Sequence, residues 1–143
     1  MFLSTVLALA VPRIWNMGSE ARAARQKAIY GSVRAAAQIA RAAASVHNQL
    51  GPSGSVEVDG MRIATVYGYP SANAAGIVAA TGLDPDNNRV TLSDGGSPAG
   101  RSITIVLGDA RASCAIVYTA PDSVDAQPRI ELVNSGPNGA GGC

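Results

Sequence analysis

The sequence contains few of the residues on which enzyme chemistry usually depends. Its 143 residues include one histidine, His47, and two cysteines, Cys114 and Cys143. One histidine near the end of a helix does not make a Ser-His-Asp set, and two cysteines with one histidine do not make a zinc site. No glycine-rich loop stands between a strand and a helix to hold phosphate. We therefore predict that the protein is not an enzyme and has no catalytic residues and no cofactor.

Aromatic residues are also scarce, with one Trp, one Phe and four Tyr. The core must therefore be built from Val, Ile, Leu and Ala. A chain of this length forms one domain, with room for an appendage. The composition changes near residue 50, which predicts a long N-terminal helix over residues 1–50 and a β-rich head over residues 51–143.

Acidic residues are nearly absent from the first part of the chain. From Met1 to Gly51 there are six basic residues and one acid, Glu20, which gives +5; the remainder has five Arg and nine acids, which gives −4. This division suits contact between copies, or a helix near an anionic membrane surface, although solvated faces explain it equally well. No aromatic platform accompanies the basic residues, so we predict no specific nucleic-acid partner.

The first eleven residues, Met1 to Val11, are almost wholly apolar but too few to span a bilayer. They have three interpretations: a signal-peptide core with Ala8-Leu9-Ala10 as the cleavage site, a buried helix end, or the back half of a longer transmembrane helix. Pro12 is a kink point, and Arg13 suits the exit from a membrane.

From Gly18 to Val46 the pattern is helical, with eleven alanines between Ala21 and Ala44. Two apolar stripes run along this helix. The first stripe comprises Met17, Ala21, Ala24, Ala28, Ala35 and Ile39. The second stripe comprises Ile29, Val33, Ala36 and Ala40. Such a helix can pack on several neighbours, or simply bury one face.

The remainder predicts strands with turns between them. Ser55 to Val66 is a hairpin around Asp59-Gly60, and Ser71 is the N-cap of a short helix, Ala72 to Ala80. Three further strands are predicted at Ile103 to Leu107, Ala115 to Thr119 and Arg129 to Val133. The predicted fold class is α+β: one long N-terminal helix packed on an antiparallel sheet, with a disulfide-bounded C-terminal region.

The two cysteines can be paired or unrelated. A Cys114–Cys143 disulfide would close a loop of about thirty residues, stabilise the fold by about 3.6 kcal/mol and imply an oxidising compartment. The alternative is two separate thiols in a cytosolic protein.

One acidic segment has the spacing that begins a calcium loop, at Asp84, Asp86 and Asn88. Arg89 stands where that loop needs glycine, and no Glu closes it at the twelfth position. The alternative is an acidic turn that caps its own amides.

Four segments together resemble type IV pilins, most of all the mannose-sensitive haemagglutinin branch of major pilins. Leu7 to Arg13 with Asn16 to Arg22 is similar to the family's helix as it leaves the membrane, and Ala28 to Ala37 to the part that backs the head. Val58 to Pro70 resembles that branch's hairpin and Gly-Tyr-Pro turn. Ala112 to Thr119 with the closing Gly-Cys143 resembles its disulfide-bounded region.

The resemblance implies a structural subunit that polymerises with itself into an extracellular filament, reached from the inner membrane through pilus assembly machinery. The helix ends would pack in the filament core through apolar residues. These are Phe2, Leu3, Val6, Leu7, Leu9, Val11, Pro12 and Ile14. The alternatives are a pseudopilin of a type II secretion system and a secreted or periplasmic binding domain with a cleaved leader.

The sequence departs from the family at its start. The family's cleavage site after Gly, its aromatic first residue and its early Glu are absent, and alignment on Pro12 leaves about ten residues missing. A misplaced start, a variant subunit, or a separate chain that supplies the missing part of the helix would each account for this.

Overall fold

The structure, a computed structural model, describes residues 17–88, 90–107 and 114–134. It begins with helix α1, Met17–Val46. The helix contains no proline, and alanine dominates it. It ends where Asn48 adopts a left-handed conformation with φ 56°, and the Gln49 N–H donates to the Ala44 carbonyl at 2.8 Å. This bond and conformation form a Schellman cap, which satisfies a helix-terminal carbonyl.

The head begins with three antiparallel strands in the order β1-β2-β3. They are β1, Gly54–Val58; β2, Met61–Val66; and β3, Tyr69–Pro70. Both connections are two-residue turns in which each residue has positive φ. In the first, Asp59 and Gly60 have φ 51° and 78°. This geometry matches the twist of the strands, and an Asp-Gly pair adopts it readily.

The second sheet has four antiparallel strands in the order β4-β5-β6-β7. They are β4, Val90–Ser93; β5, Ser102–Leu107; β6, Cys114–Thr119; and β7, Arg129–Asn134. Three short helical segments connect the two sheets. They are a π-helical turn, Ala74–Val78, which continues into α2, Ala79–Thr81, and the single turn α3, Pro85–Asn88.

The core lies between α1 and the two sheets. Its larger part contains Ile29 and Val33 of the helix with the inward residues of β5 and β6, among them Ile105, Ile116 and Tyr118. A smaller cluster joins Ala40 and Ala44 to Val56 and Ile63 of the first sheet. The core is aliphatic except for tyrosines, as the composition requires.

The predicted fold class is wrong in its specific form, although the chain is mixed α+β. The described helix, Met17–Val46, covers the helical segment predicted from Gly18 to Val46, and residues 1–16 of the predicted N-terminal unit lie outside the described residues. There are two sheets where one was predicted, because the two-residue strand β3 completes a separate sheet with β1 and β2. Cys114 lies among the described residues and is not a free thiol, whereas its predicted partner, Cys143, lies outside them.

The short helical segment differs from the prediction at its start. Asn73 is the N-cap, and its side chain accepts the Gly76 N–H at 2.8 Å. Ser71 is buried instead, and its hydroxyl donates to Asn73 Oδ1 at 2.7 Å. Gly82 ends the segment in the left-handed conformation that glycine adopts without strain.

Candidate assembly face of the long helix

The two apolar stripes of α1 lie in different environments. One face is buried against the head from Gln26 to Ala44. Its residues are Gln26, Ile29, Val33, Ala36, Ala37, Ala40 and Ala44. This face contains the second predicted stripe, and its small residues let the helix approach both sheets closely.

From Ala24 to Val46, the opposite face of α1 is exposed and carries few charges. Twelve residues between Ala24 and Val46 are exposed, and only Lys27 and Arg34 among them are charged. The uncharged ones are Ala24, Ala28, Gly31, Ser32, Ala35, Gln38, Ile39, Ala42, Ser45 and Val46. A helix face that serves only to meet water usually carries many charged and polar side chains. We define these ten residues as the assembly face.

Two residues of the assembly face are large and apolar. Ile39 is 54% exposed and Val46 is 79% exposed. Exposed alanines need no explanation, because alanine is the best helix former. Ile39 and Val46 are seven residues apart, as are Ala28, Ala35 and Ala42. A seven-residue repeat keeps one stripe of a helix facing a partner helix, so the spacing suits helix–helix packing.

Gln26 fixes the N-terminal part of the described helix to the second sheet. Its side chain is buried, and Nε2 donates to the carbonyl oxygens of Ala115 at 2.9 Å and Val133 at 3.0 Å. These two carbonyls belong to paired residues of β6 and β7. The amide therefore sets the rotation of α1 on the head, and with it the direction in which the assembly face points.

Arg41 fixes the C-terminal part of the helix to the first sheet. Its Nη1 donates to the Tyr67 carbonyl at 2.7 Å, and its guanidinium lies 5.2 Å from the centre of the Tyr69 ring. Tyr67 and Gly68 form the tight turn between β2 and β3, with φ 50° and 86°. Gly68 has a second reason to be glycine, because a Cβ there would lie 2.9 Å from Arg41 Nη1.

Tyr118 joins the two sheets behind the helix. Its hydroxyl donates to the Pro70 carbonyl at 2.6 Å, and the residue is fully buried. Burial raises the pKa of Tyr118 well above its ordinary value, and the nearby Tyr69 adds to the rise. The phenol therefore stays protonated and keeps the sheets in register under the helix.

A separate open cleft of about 390 Å³ lies at one end of the second sheet. Polar groups and small residues line it, and they are Gly100, Thr119, Ala120, Pro121, Asp122, Gln127 and Arg129. Most of these residues are exposed. Small-molecule sites are usually concave and mostly apolar, so this polar and open cleft is a weak candidate for one.

The predicted filament-core residues lie outside the described residues. This set comprises Phe2, Leu3, Val6, Leu7, Leu9, Val11, Pro12 and Ile14. In the part of the chain that the structure describes, no helix has the length and apolar character needed to cross a membrane.

The other predicted sites are placed only in part. Asp84 and Asp86 are exposed, and the Asp86 N–H donates to Asp84 Oδ1 at 3.0 Å at the start of α3. Asn88 is the last residue of that turn. The described residues contain no group of three or more His, Cys, Asp or Glu placed to hold a metal. Cys114 is buried in β6, whereas Cys143 lies outside the described residues.

The residues that orient the helix were not singled out from the sequence. No motif in the sequence marks Gln26. Its position, three residues before Ile29 and seven before Val33, does fall on the buried stripe. Nothing in the sequence marks Arg41 either, because its partners are a backbone carbonyl and a ring twenty-six and twenty-eight residues away.

A comparison of this chain with known protein families, curated proteins and solved structures finds no match.

Proposed function

We propose that this protein is the structural subunit of a type IV pilus-like extracellular filament, which polymerises with itself through its N-terminal helix. The proposal joins the resemblance of the sequence to type IV pilins with the geometry of α1. On this proposal, the subunit resides in the inner membrane before pilus assembly machinery transfers it to the filament. It is a structural protein and not an enzyme.

The observation that supports this proposal best is the assembly face. Over residues 24–46, the head covers one side of α1 and leaves the other side rich in small residues, with two charges among twelve exposed residues. Burying the exposed parts of Ile39 and Val46 would contribute about 1–2 kcal/mol each at a helix–helix contact. Small residues around them let a second helix approach closely.

The arrangement suits an open polymer better than a closed pair. A helix at one side and a head at the other give each copy two different contact surfaces. When two different surfaces meet, the contact repeats from copy to copy and forms a ring or a filament. In the filament, the helices would lie inside and the two sheets of each head outside.

A secreted binding domain is the second candidate, and the cleft beside Arg129 favours it. That cleft brings a guanidinium, a carboxylate and an amide to one opening. It gives no reason for the assembly face, however, and a binding domain would be expected to solvate that side of its helix with charges.

Electron microscopy of the sheared surface fraction, with peptide mass spectrometry of the same material, tests the proposal. Cells that make this protein should yield thin filaments, and peptides of this chain should dominate the filament fraction. Recovery of the protein only as a soluble monomer, with no filaments at the surface, would contradict the proposal and favour the binding domain.

A further inference from the structure

Three basic residues of α1 form a row with a seven-residue spacing. Lys27, Arg34 and Arg41 follow one another at this spacing and therefore lie along one side of the helix. The row is about 100° around the helix from Ala28, Ala35 and Ala42. It thus borders the assembly face instead of dividing it.

Among the described residues, only the last member of this row meets an acid of its own head. Arg41 Nη2 lies 4.0 Å from Asp125 Oδ1, and the Asp125 side chain is 86% exposed. Asp125 belongs to the loop between β6 and β7, residues 120–128, which also carries the exposed Asp122. We name this segment the acidic loop. Within the described residues, Lys27 and Arg34 make no ion pair.

The Asp125 carboxylate can bind a second cation while it pairs with Arg41. A carboxylate has two oxygens and several acceptor sites, and the exposed Asp125 uses one oxygen at the edge of ion-pair distance. The acidic loop therefore faces the side of the helix that carries the basic row, and it is open to another chain.

We infer that the acidic loop of a second, parallel copy docks on Lys27 or Arg34, with the two helices displaced by one or two seven-residue steps. This inference rests on the proposed filament function. Each step corresponds to about 10.5 Å along the helix. A displacement of seven residues places Asp125 of one copy beside Arg34 of its neighbour, and a displacement of fourteen places it beside Lys27.

Two independent features favour a copy of this chain as the occupant. The apolar positions of the assembly face repeat with the same seven-residue step, so one displacement satisfies both the apolar and the charged contacts. The charges are also complementary within the chain itself, at +5 up to Gly51 and −4 beyond it. Contact of unlike charges guides association and fixes its register more than it adds affinity.

Zero-length carbodiimide coupling tests this contact, because Lys27 is the only lysine of the chain. The reagent joins an amine to a carboxylate only when the two are already in contact. Within one copy, Lys27 is about 21 Å along the helix from the residue that meets Asp125, so that coupling must join two copies. We expect filaments to give a ladder of linked oligomers, with Lys27 joined to Asp122 or Asp125.

Matched variants identify the displacement. Lys27→Arg keeps the charge and removes the amine, so filaments should persist while any ladder from Lys27 disappears. The double variant Lys27→Arg/Arg34→Lys moves the amine by one step and should give the ladder if the displacement is seven residues. Lys27→Arg/Met61→Lys moves the amine off the helix to an exposed position on β2 and should give no coupling to the acidic loop.

Two results would overturn the inference, and only the second would also overturn the proposed filament function. If filaments form but neither Lys27 nor Lys at position 34 couples to Asp122 or Asp125, the docking is wrong and the filament function stands. If the protein forms no filaments and no linked oligomers, both the docking and the proposed function are wrong.

Discussion

The two sides of α1 are made of similar residues but have different partners. The buried side contains Val33 and Ala40, and the exposed side contains Ala35 and Ile39. Two polar side chains, Gln26 and Arg41, fix the rotation of the helix on the head. An alanine-rich helix can therefore keep a second apolar face available for another chain while the first completes the core.

The largest expected effect follows from placing a charge on the buried side. Val33 is completely buried in the main core, so Val33→Asp would bring an unpaired carboxylate into an apolar environment. We expect a loss of more than about 3 kcal/mol in the free energy of unfolding, measured by urea denaturation. A variant as stable as the parent protein would show that the helix does not pack on the head by this face.

Removing the Gln26 amide should have an intermediate effect. Gln26→Leu keeps the approximate size of the side chain but leaves the carbonyls of Ala115 and Val133 without this donor. We expect a loss of about 1–3 kcal/mol in the free energy of unfolding. Gln38→Leu, at an exposed position of the same helix, is the control and should be close to neutral. Equal effects of the two substitutions would contradict the anchoring role.

Tyr118 should make stability depend on pH only on the alkaline side. Its pKa is raised in the folded protein, so both states hold the phenol proton below about pH 10, and the full contribution is present there. Above that pH the unfolded state releases its proton first, and stability falls as pH rises. Urea unfolding between pH 8 and pH 11 should show a steeper decline for the parent protein than for Tyr118→Phe. Equal slopes would contradict the burial of this hydroxyl.

The sequence predicted the elements better than their arrangement. Helix α1 and the strands β1, β2, β5, β6 and β7 lie within a residue or two of the predicted positions, because hydrophobic period and turn residues determine them locally. Strand β4 was missed because four residues carry little pattern, and β3 because it is two residues long and ends in proline. Each of these short strands lies at an edge, β3 of the first sheet and β4 of the second.

The candidate site could be predicted only in part. The sequence contains both stripes of α1, but which of them the head covers depends on contacts with residues up to 107 positions away. Local periodicity cannot carry that information. The residues assigned to the filament core, from Phe2 to Ile14, lie outside the described residues, and their role stays a prediction.

The most direct test of the assembly face compares two exposed apolar residues in matched substitutions. Ile39 is 54% exposed on the assembly face, and Met61 is 49% exposed on β2 of the head. Both Ile39→Asp and Met61→Asp should change the free energy of unfolding by less than about 0.5 kcal/mol, because neither position is in the core. We predict that Ile39→Asp abolishes filaments in electron micrographs of the sheared surface fraction, whereas Met61→Asp assembles normally. Normal filaments from a folded Ile39→Asp variant would contradict the account.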